Sequence, residues 1–228
     1  MIGLMGAMDE EIESYLRHLK DRKETEWKIF RFYTGKLWEK DVVIIKTGVG
    51  KVFSAMICQH LIDKYNVELV LFTGVGGALN KQLNIGDVVV SIDSVHHDMD
   101  VKSLGFERGR IPYTNYRFFK AERQLVEKAL KADLSPNKII RGRILTGEQF
   151  FTHADKDDKK YLTEELKGDC IEMEGAAVAQ VCVVNEIPHI IIRTITDSAN
   201  GDAFEDFTRF KPIVASNSFK VVEKILGD

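Results

Sequence analysis

The stretch LVLFTGVGGAL, residues 69–79, decides the fold class. It opens with an unbroken apolar run, Leu69–Thr73, and passes directly into a Gly-rich turn, Thr73–Leu79. An apolar run with no polar alternation predicts a strand that is covered on both faces. Glycines that follow such a strand let the backbone approach a small, flat or anionic group, although they also suit a tight bend without a ligand.

Similar apolar runs occur on both sides of this stretch. They predict further strands at Ile2–Ala7, Val42–Thr47, Val88–Ser91, Ile139–Leu145 and His189–Thr196. Alternating residues over Ile29–Leu37 predict a hairpin with Val42–Thr47. Apolar residues at three-to-four spacing predict helices at Ser54–Tyr65, Ala121–Ala132, Met173–Asn185 and Pro212–Leu226. Strands that alternate with helices predict an α/β fold with helices on both faces of the sheet.

Composition excludes several functional classes. The chain has 228 residues, with 32 Lys and Arg against 35 Asp and Glu, so it lacks the basic excess of a nucleic-acid-binding protein. No apolar run approaches the roughly 18 residues that span a membrane, and the N-terminal segment MIGLMGAMDEE does not resemble a secretory signal. We expect one domain over residues 1–228 in the cytoplasm, with Cys58, Cys170 and Cys182 as buried thiols.

Acidic residues at the ends of strands are the candidate site residues. Ligands of open α/β sheets bind beyond the carboxyl ends of the strands, where GAMDEE places Glu11 and RTITD places Asp197. The segment CIEMEGAA holds Glu172 and Glu174 before an apolar helix, where a carboxylate could bind paired hydroxyls. The alternatives are acids that stabilise a helix N-terminus, or an Asp197 that caps a turn or pairs with Arg193.

Two other motifs predict the absence of a cofactor. The segment from His96 to Asp100 has metal-ligating residue types, but adjacent residues on an extended segment point to opposite sides. The turn at Thr73–Leu79 lacks GxGxxG spacing, and the chain has no GxxxxGK[ST] sequence. We therefore expect neither a metal nor a dinucleotide.

Taken together, the motifs resemble those of the 5′-methylthioadenosine/S-adenosylhomocysteine nucleosidases of the purine nucleoside phosphorylase superfamily. The resemblance runs nearly end to end, and its motifs come in the same order. They are GAMDEE (6–11), TGVGKV (47–52), TGVGGAL (73–79), NIGD (84–87), HHDMDV (96–101), GEQF (147–150), IEMEGAA (171–177) and RTITD (193–197). The resemblance implies a three-layer α/β/α sandwich with a central mixed twisted sheet, of the nucleoside phosphorylase type.

The resemblance also implies a role for each site residue. Glu11 activates the attacking water, Asp197 protonates N7 of adenine, and Glu174 holds the ribose hydroxyls. Residues implied to bind the substrate are Met173 under the sugar, Phe150 and Phe151 at the purine, Met8, Val49 and Phe207 at the 5′-alkylthio group, and Glu172 and Val75 beside them. Val75 stands where many members have Ser. Residues implied to complete the partner's pocket in a homodimer are Val101, Leu104, Phe106 and Pro112.

The implied function is hydrolysis of the N-glycosidic bond of methylthioadenosine and adenosylhomocysteine, releasing adenine in methionine salvage. A base that activates water and an acid that protonates the leaving group suit this chemistry. Three alternatives stay open: an aminodeoxyfutalosine nucleosidase, a purine nucleoside phosphorylase and a non-catalytic nucleoside sensor. The acids of GAMDEE argue against the phosphorylase because they repel phosphate, and a sensor would be expected to lack Glu11, Glu174 or Asp197.

Overall fold

The computed structural model describes residues 1–151, 159–197 and 216–227. Its strands are β1 (Ile2–Gly6), β2 (Lys20–Trp27), β3 (Phe30–Leu37), β4 (Lys40–Lys46), β5 (Leu69–Ala78), β6 (Val88–His96), β7 (Phe119–Lys120), β8 (Ile139–Thr146), β9 (Cys170–Glu172) and β10 (His189–Asp197). Its helices are α1 (Asp9–His18), α2 (Lys51–Tyr65), α3 (Arg123–Ala129), α4 (Tyr161–Glu164), α5 (Gly175–Val184) and α6 (residues 216–226). A short 3₁₀ turn spans Lys102–Leu104.

The strands form one mixed sheet that closes on itself at one end. Strands β5, β10, β6, β8 and β9 each pair with the next, and β9 pairs back with β5. Strands β1, β4, β3 and β2 extend from β5 as an open sheet. Because β1, β4, β5 and β10 run parallel, their carboxyl ends meet at one edge of the sheet. The predicted α/β fold with a mixed central sheet is confirmed.

Helices cover both faces of the sheet, which explains the unbroken apolar runs. On β1, Leu4 packs with Ile12 and Tyr15 of α1, whereas Met5 packs on the opposite face with Ile57 of α2. Adjacent strand residues point to opposite faces, so both must be apolar when both faces are covered.

Most predicted elements are present, with shifted ends. The predicted hairpin is confirmed, because β3 pairs antiparallel with β4. The helix predicted at Pro212–Leu226 is present over 216–226, and its first four residues lie outside the described ranges. Helix α1 begins where the alternative interpretation of GAMDEE places a first helical turn, whereas strand β2 is not predicted. Strand β2 is almost wholly exposed and therefore shows no apolar pattern.

The prediction of a turn over Thr73–Leu79 is wrong for most of these residues, because they form the second half of strand β5, which continues to Ala78. Here β5 pairs with two strands at once: Gly76 and Gly77 lie opposite β10, and Gly77 also lies opposite Ile171 of β9. Gly74 is required for a different reason. A Cβ atom at this position would lie 2.6 Å from both Arg193 Nη1 and Glu11 Oε1.

No helix within the described ranges is long and apolar enough to cross a membrane. Cys58, Cys170 and Cys182 are buried thiols that take part in no disulfide, as predicted.

Candidate active site

A cavity of about 350 Å³ opens at the carboxyl ends of the parallel strands. It lies between the loop after β1, the turn after β4, the end of β5 and the segment after β8. Its lining includes most of the predicted site residues, namely Met8, Glu11, Val49, Val75, Phe150, Phe151, Glu172, Met173 and Glu174. The sequence motifs therefore converge on one site.

Glu11 is held at the cavity wall by backbone N–H groups. Its Oε2 accepts hydrogen bonds from Ala7 N at 2.6 Å and Met8 N at 3.0 Å, and its Oε1 accepts one from Val75 N at 3.0 Å. The Glu11 carboxylate thus provides acceptors for the backbone N–H groups that precede α1. It also links the loop after β1 to strand β5 through hydrogen bonds. Burial raises the pKa of Glu11, while the positive charge of Arg193 and these N–H groups oppose the rise. The alternative for GAMDEE of an acid that stabilises a helix start is confirmed for Glu11, and the same side chain also faces the cavity.

A buried ion pair lies beneath the cavity. Arg193 is 1% exposed and donates from Nε and Nη2 to Glu172 Oε2, at 3.1 and 2.5 Å. The same oxygen accepts hydrogen bonds from the N–H groups of Glu174 and Gly175, and Glu172 Oε1 accepts one from the Thr146 hydroxyl. Glu172 lines the cavity, but donors of the protein already occupy both of its oxygens.

Glu174 is the N-cap residue of α5 and is 6% exposed. Its Oε1 accepts a hydrogen bond from Gly50 N at 2.9 Å, and its Oε2 lies 3.8 Å from Arg193 Nη2. Burial and the neighbouring charge of Glu172 raise the pKa of Glu174 to about 8. The side chain therefore retains a proton near neutral pH and can donate a hydrogen bond as well as accept one.

Apolar groups form the remaining walls. Phe151 is buried at 5% exposure, and the ring of His97 packs edge-on against it at 5.2 Å. Phe150 and Val49 are about half exposed, at 51% and 52%, and lie at the open side of the cavity. Val75 contributes its backbone N–H to Glu11 and its aliphatic side chain to the wall.

Two predicted site side chains fall outside the described part of the chain, and four other predicted residues do not line the cavity. Asp197 ends β10 opposite Gly77, but its side chain lies outside the described part of the chain, as does Phe207. The four residues expected to reach a partner's pocket do not line this cavity. They are Val101, Leu104, Phe106 and Pro112, on the loop between β6 and β7.

Three contributions to the site were not predicted. The sequence offers Arg193 only as an alternative partner of Asp197, and the structure shows it paired with Glu172. Thr146 and the Gly50 N–H were not considered. An arginine within the apolar run HIIIRTIT was a usable signal for the first, because a buried cation requires a carboxylate partner. Within the described ranges, no three His, Cys, Asp or Glu side chains are grouped as a metal site requires.

Comparison with known proteins identifies the family. The sequence matches the family described as "Phosphorylase superfamily" over residues 1–227. It is 35% identical to a 5′-methylthioadenosine/S-adenosylhomocysteine nucleosidase of Staphylococcus haemolyticus, over 99% of each chain. The chain belongs to this nucleosidase family.

Solved structures of the superfamily agree with this assignment. The nucleosidase of Colwellia psychrerythraea in complex with adenine superimposes with a TM-score of 0.93 at 35% identity, covering 99% of this chain and 94% of that one. The futalosine hydrolase of Helicobacter pylori superimposes with a TM-score of 0.91 at 32% identity, covering 99% and 96%. The resemblance drawn from the motifs is therefore confirmed.

Proposed function

We propose that this nucleosidase hydrolyses the N-glycosidic bond of 5′-methylthioadenosine and S-adenosylhomocysteine, with water as the nucleophile and adenine as the leaving group. The observation that carries the proposal is the Glu11 carboxylate. Three backbone N–H groups fix it at the wall of a largely apolar cavity, in a family of adenine nucleosidases. No metal or organic cofactor takes part in the proposed reaction.

Glu11 acts as the base that orients and deprotonates the water. Burial raises its pKa toward the working pH, which strengthens it as a proton acceptor. The leaving adenine must gain a proton as the bond to the ribose breaks, and we assign this donation to Asp197 at the end of β10. The two roles divide base and acid as in an inverting glycosidase.

The remaining lining residues bind the substrate. Glu174 binds the ribose hydroxyls, and Met173 packs against the sugar. Phe150 and Phe151 form the wall for the adenine ring. Met8, Val49 and Phe207 surround the 5′-alkylthio group. Glu172 contributes by holding Arg193 and the start of α5, through the contacts described above.

The charges of the cavity favour water over phosphate. The Glu11 carboxylate is buried at the cavity wall, and the guanidinium of Arg193 is already paired with Glu172. A phosphate dianion would need unpaired cationic donors at this position. A single pair of like charges about 4 Å apart repels by about 4 kcal/mol at an effective dielectric constant of 20.

We further propose a cytoplasmic homodimer of single-domain subunits that acts in methionine salvage. Apolar side chains on the surface support the dimer: Leu104 is 63% exposed, and Val52 on α2 is 77% exposed. A loop that carries apolar residues is typical of an interface. In the dimer, Val101, Leu104, Phe106 and Pro112 close the partner's 5′-alkylthio pocket. Three buried thiols outside disulfides suit a reducing compartment.

The test is product analysis with methylthioadenosine, adenosylhomocysteine, aminodeoxyfutalosine, adenosine and inosine, each with and without phosphate. We expect adenine and the free ribose sugar from the first two, at a rate independent of phosphate. A ribose 1-phosphate product would assign the chain to the phosphorylases. A marked preference for aminodeoxyfutalosine would place it with the futalosine hydrolases, whose structure it also resembles.

A further inference from the structure

A second polar cluster joins three chain segments beside the cavity. Lys51 is the first residue of α2, Asp98 follows β6, and Glu148 follows β8. We refer to Lys51, Asp98 and Glu148 as the rim triad. The proposed chemistry makes no use of these side chains, and none of the three lines the cavity.

The contacts of the rim triad form a closed cycle. Lys51 Nζ donates to both carboxylate oxygens of Asp98, at 2.9 and 2.8 Å. Asp98 Oδ2 also accepts a hydrogen bond from Glu148 N at 3.1 Å, and Glu148 Oε1 accepts one from Lys51 N at 2.9 Å. Each residue therefore contacts the other two, so the three segments have a fixed relative position.

The chain neighbours of two members of the rim triad, Lys51 and Glu148, belong to the cavity or contact its wall. Gly50, which precedes Lys51, donates its N–H to Glu174 at 2.9 Å. Gln149, Phe150 and Phe151, which follow Glu148, line the cavity together with Glu174. The start of α2 thus binds two carboxylates through consecutive N–H groups, that of Glu174 in the cavity wall and that of Glu148, which precedes the Phe150–Phe151 wall.

The local environment makes this cycle stronger than an ordinary surface ion pair. The side chains of Lys51 and Asp98 are 22% and 31% exposed, so solvent screens their charges only in part. Burial acts to raise the pKa of Asp98, but Lys51 and the Glu148 N–H outweigh it, and the pKa is lowered. The carboxylate is therefore held in its charged form.

We propose that the rim triad is a positioning device that sets the distance between Glu174 and the Phe150–Phe151 wall, and thereby the affinity for adenine. The inference rests on the proposed function, because it assigns the ribose to Glu174 and the adenine ring to the phenylalanines. Lys51, Asp98 and Glu148 are positioning residues, since they act through the groups that follow or precede them.

The experiment measures KM and kcat for methylthioadenosine, and the dissociation constant of adenine by calorimetry. The variants are Asp98→Asn, Lys51→Met, Lys51→Arg and the double variant Lys51→Met/Asp98→Asn. Lys20→Met is the matched control. It removes an ion pair of 2.9 Å, Lys20–Glu39, between the start of β2 and the turn after β3, and neither residue lines the cavity. Thermal unfolding of each variant reports its stability separately.

For Asp98→Asn and Lys51→Met we expect KM and the adenine dissociation constant to rise together by about tenfold, the effect of losing a charged hydrogen bond. The kcat value should change less than about threefold, because none of the three residues touches the reacting bond. Lys51→Arg should restore binding, and the double variant should be no worse than either single one, because both break the same cycle.

A purely structural role would lower the melting temperature and leave adenine affinity unchanged. An adenine dissociation constant for Asp98→Asn within about twofold of that of the unsubstituted protein would therefore overturn the inference. An equal loss of affinity in Lys20→Met would also overturn it. If the unsubstituted protein releases no adenine from methylthioadenosine, the proposed function fails and the inference fails with it.

Discussion

In the proposed reaction, Glu11 combines a structural role with a chemical one. It accepts hydrogen bonds from the N–H groups at the start of α1 and from Val75 on β5, and it also faces the cavity. The backbone contacts hold the carboxylate in one orientation, so little reorganisation is needed when a water binds beside it. Such preorganisation is a major source of catalysis in buried sites.

Glu11→Gln keeps the shape of the side chain but removes the base. We expect hydrolysis of methylthioadenosine to fall by at least about 10², the usual contribution of a proton-transfer group. Adenine release measured by chromatography tests this. Glu13→Gln is the control, because Glu13 lies on the same helix with 63% of its side chain exposed. Equal losses in the two variants would argue against a role for Glu11 in the reaction.

Glu174 makes the stability of the empty protein depend on pH. Its pKa is raised from 4.5 to about 8, so the folded protein holds this proton more tightly than the unfolded chain does. Stability from this group is therefore full below pH 4.5 and is lost as the pH rises toward 8. Glu174→Gln cannot titrate, so its melting temperature should improve relative to that of the unsubstituted protein across this range. A constant difference across the range would contradict the prediction.

Glu174→Gln also tests the ribose assignment. The substitution should weaken catalysis on ribosides more than on their 2′-deoxy analogues, because the lost hydrogen bond is to a hydroxyl that the analogues lack. The comparison of kcat/KM for the two substrate types is the measurement. Equal losses on both would assign Glu174 a structural role alone.

Helix α5 begins inside the protein, where its first N–H groups have no access to bulk water. Glu172 accepts hydrogen bonds from Glu174 N and Gly175 N, and the Thr146 hydroxyl accepts one from Ala176 N at 2.7 Å. Strand β8 therefore supplies one of the groups that satisfy the helix start, and β9 supplies the other. The position of Glu174 depends on both strands.

Thr146→Val removes the hydroxyl while keeping the branched shape. It leaves Ala176 N without its acceptor and Glu172 Oε1 without the Thr146 donor. We expect a loss of about 1–3 kcal/mol in the free energy of unfolding, measured by denaturant titration, together with reduced activity. Thr34→Val, on the partly exposed β3 strand, is the control. A Thr146→Val protein as stable as this control would show that the helix start finds another acceptor.

The sheet closes at the end that carries the cavity. Because β5 pairs with both β10 and β9 there, the backbone around Gly74–Ala78 contacts Glu11 on one side and the Glu172 strand on the other. The loop between β6 and β7 leaves this region and exposes Leu104 and Tyr113, at 63% and 87%. A second subunit would cover these side chains.

Leu104→Asp should dissociate the homodimer, because an aspartate buried at an apolar interface lacks a partner. We expect sedimentation to show a monomer and the KM for methylthioadenosine to rise. Leu104→Met, which retains an apolar side chain of similar volume, should stay dimeric and active. An unsubstituted protein that is an active monomer at assay concentration would refute the dimer altogether.

The apolar runs and the order of the acidic motifs determine the fold class and most of the site. Runs such as Leu69–Thr73 must be covered on both faces, and parallel strands bring the residues after them to one edge. Glu11 reaches this edge for that reason. Phe150, Phe151 and Glu174 follow β8 and β9, which run antiparallel to β5, so these residues reach the site because the sheet closes. These inferences depend on local periodicity, which is readable along a single chain.

The pairing of distant side chains depends on the closed sheet and on strand register. Arg193 pairs with Glu172 because residue 193 lies opposite Gly74, where the absence of a side chain leaves room for the guanidinium. The continuation of β5 through its glycines and the contact between Lys51 and Asp98 have the same origin. Each requires segments that are far apart in sequence to be adjacent in space, and local periodicity carries no information about that distance.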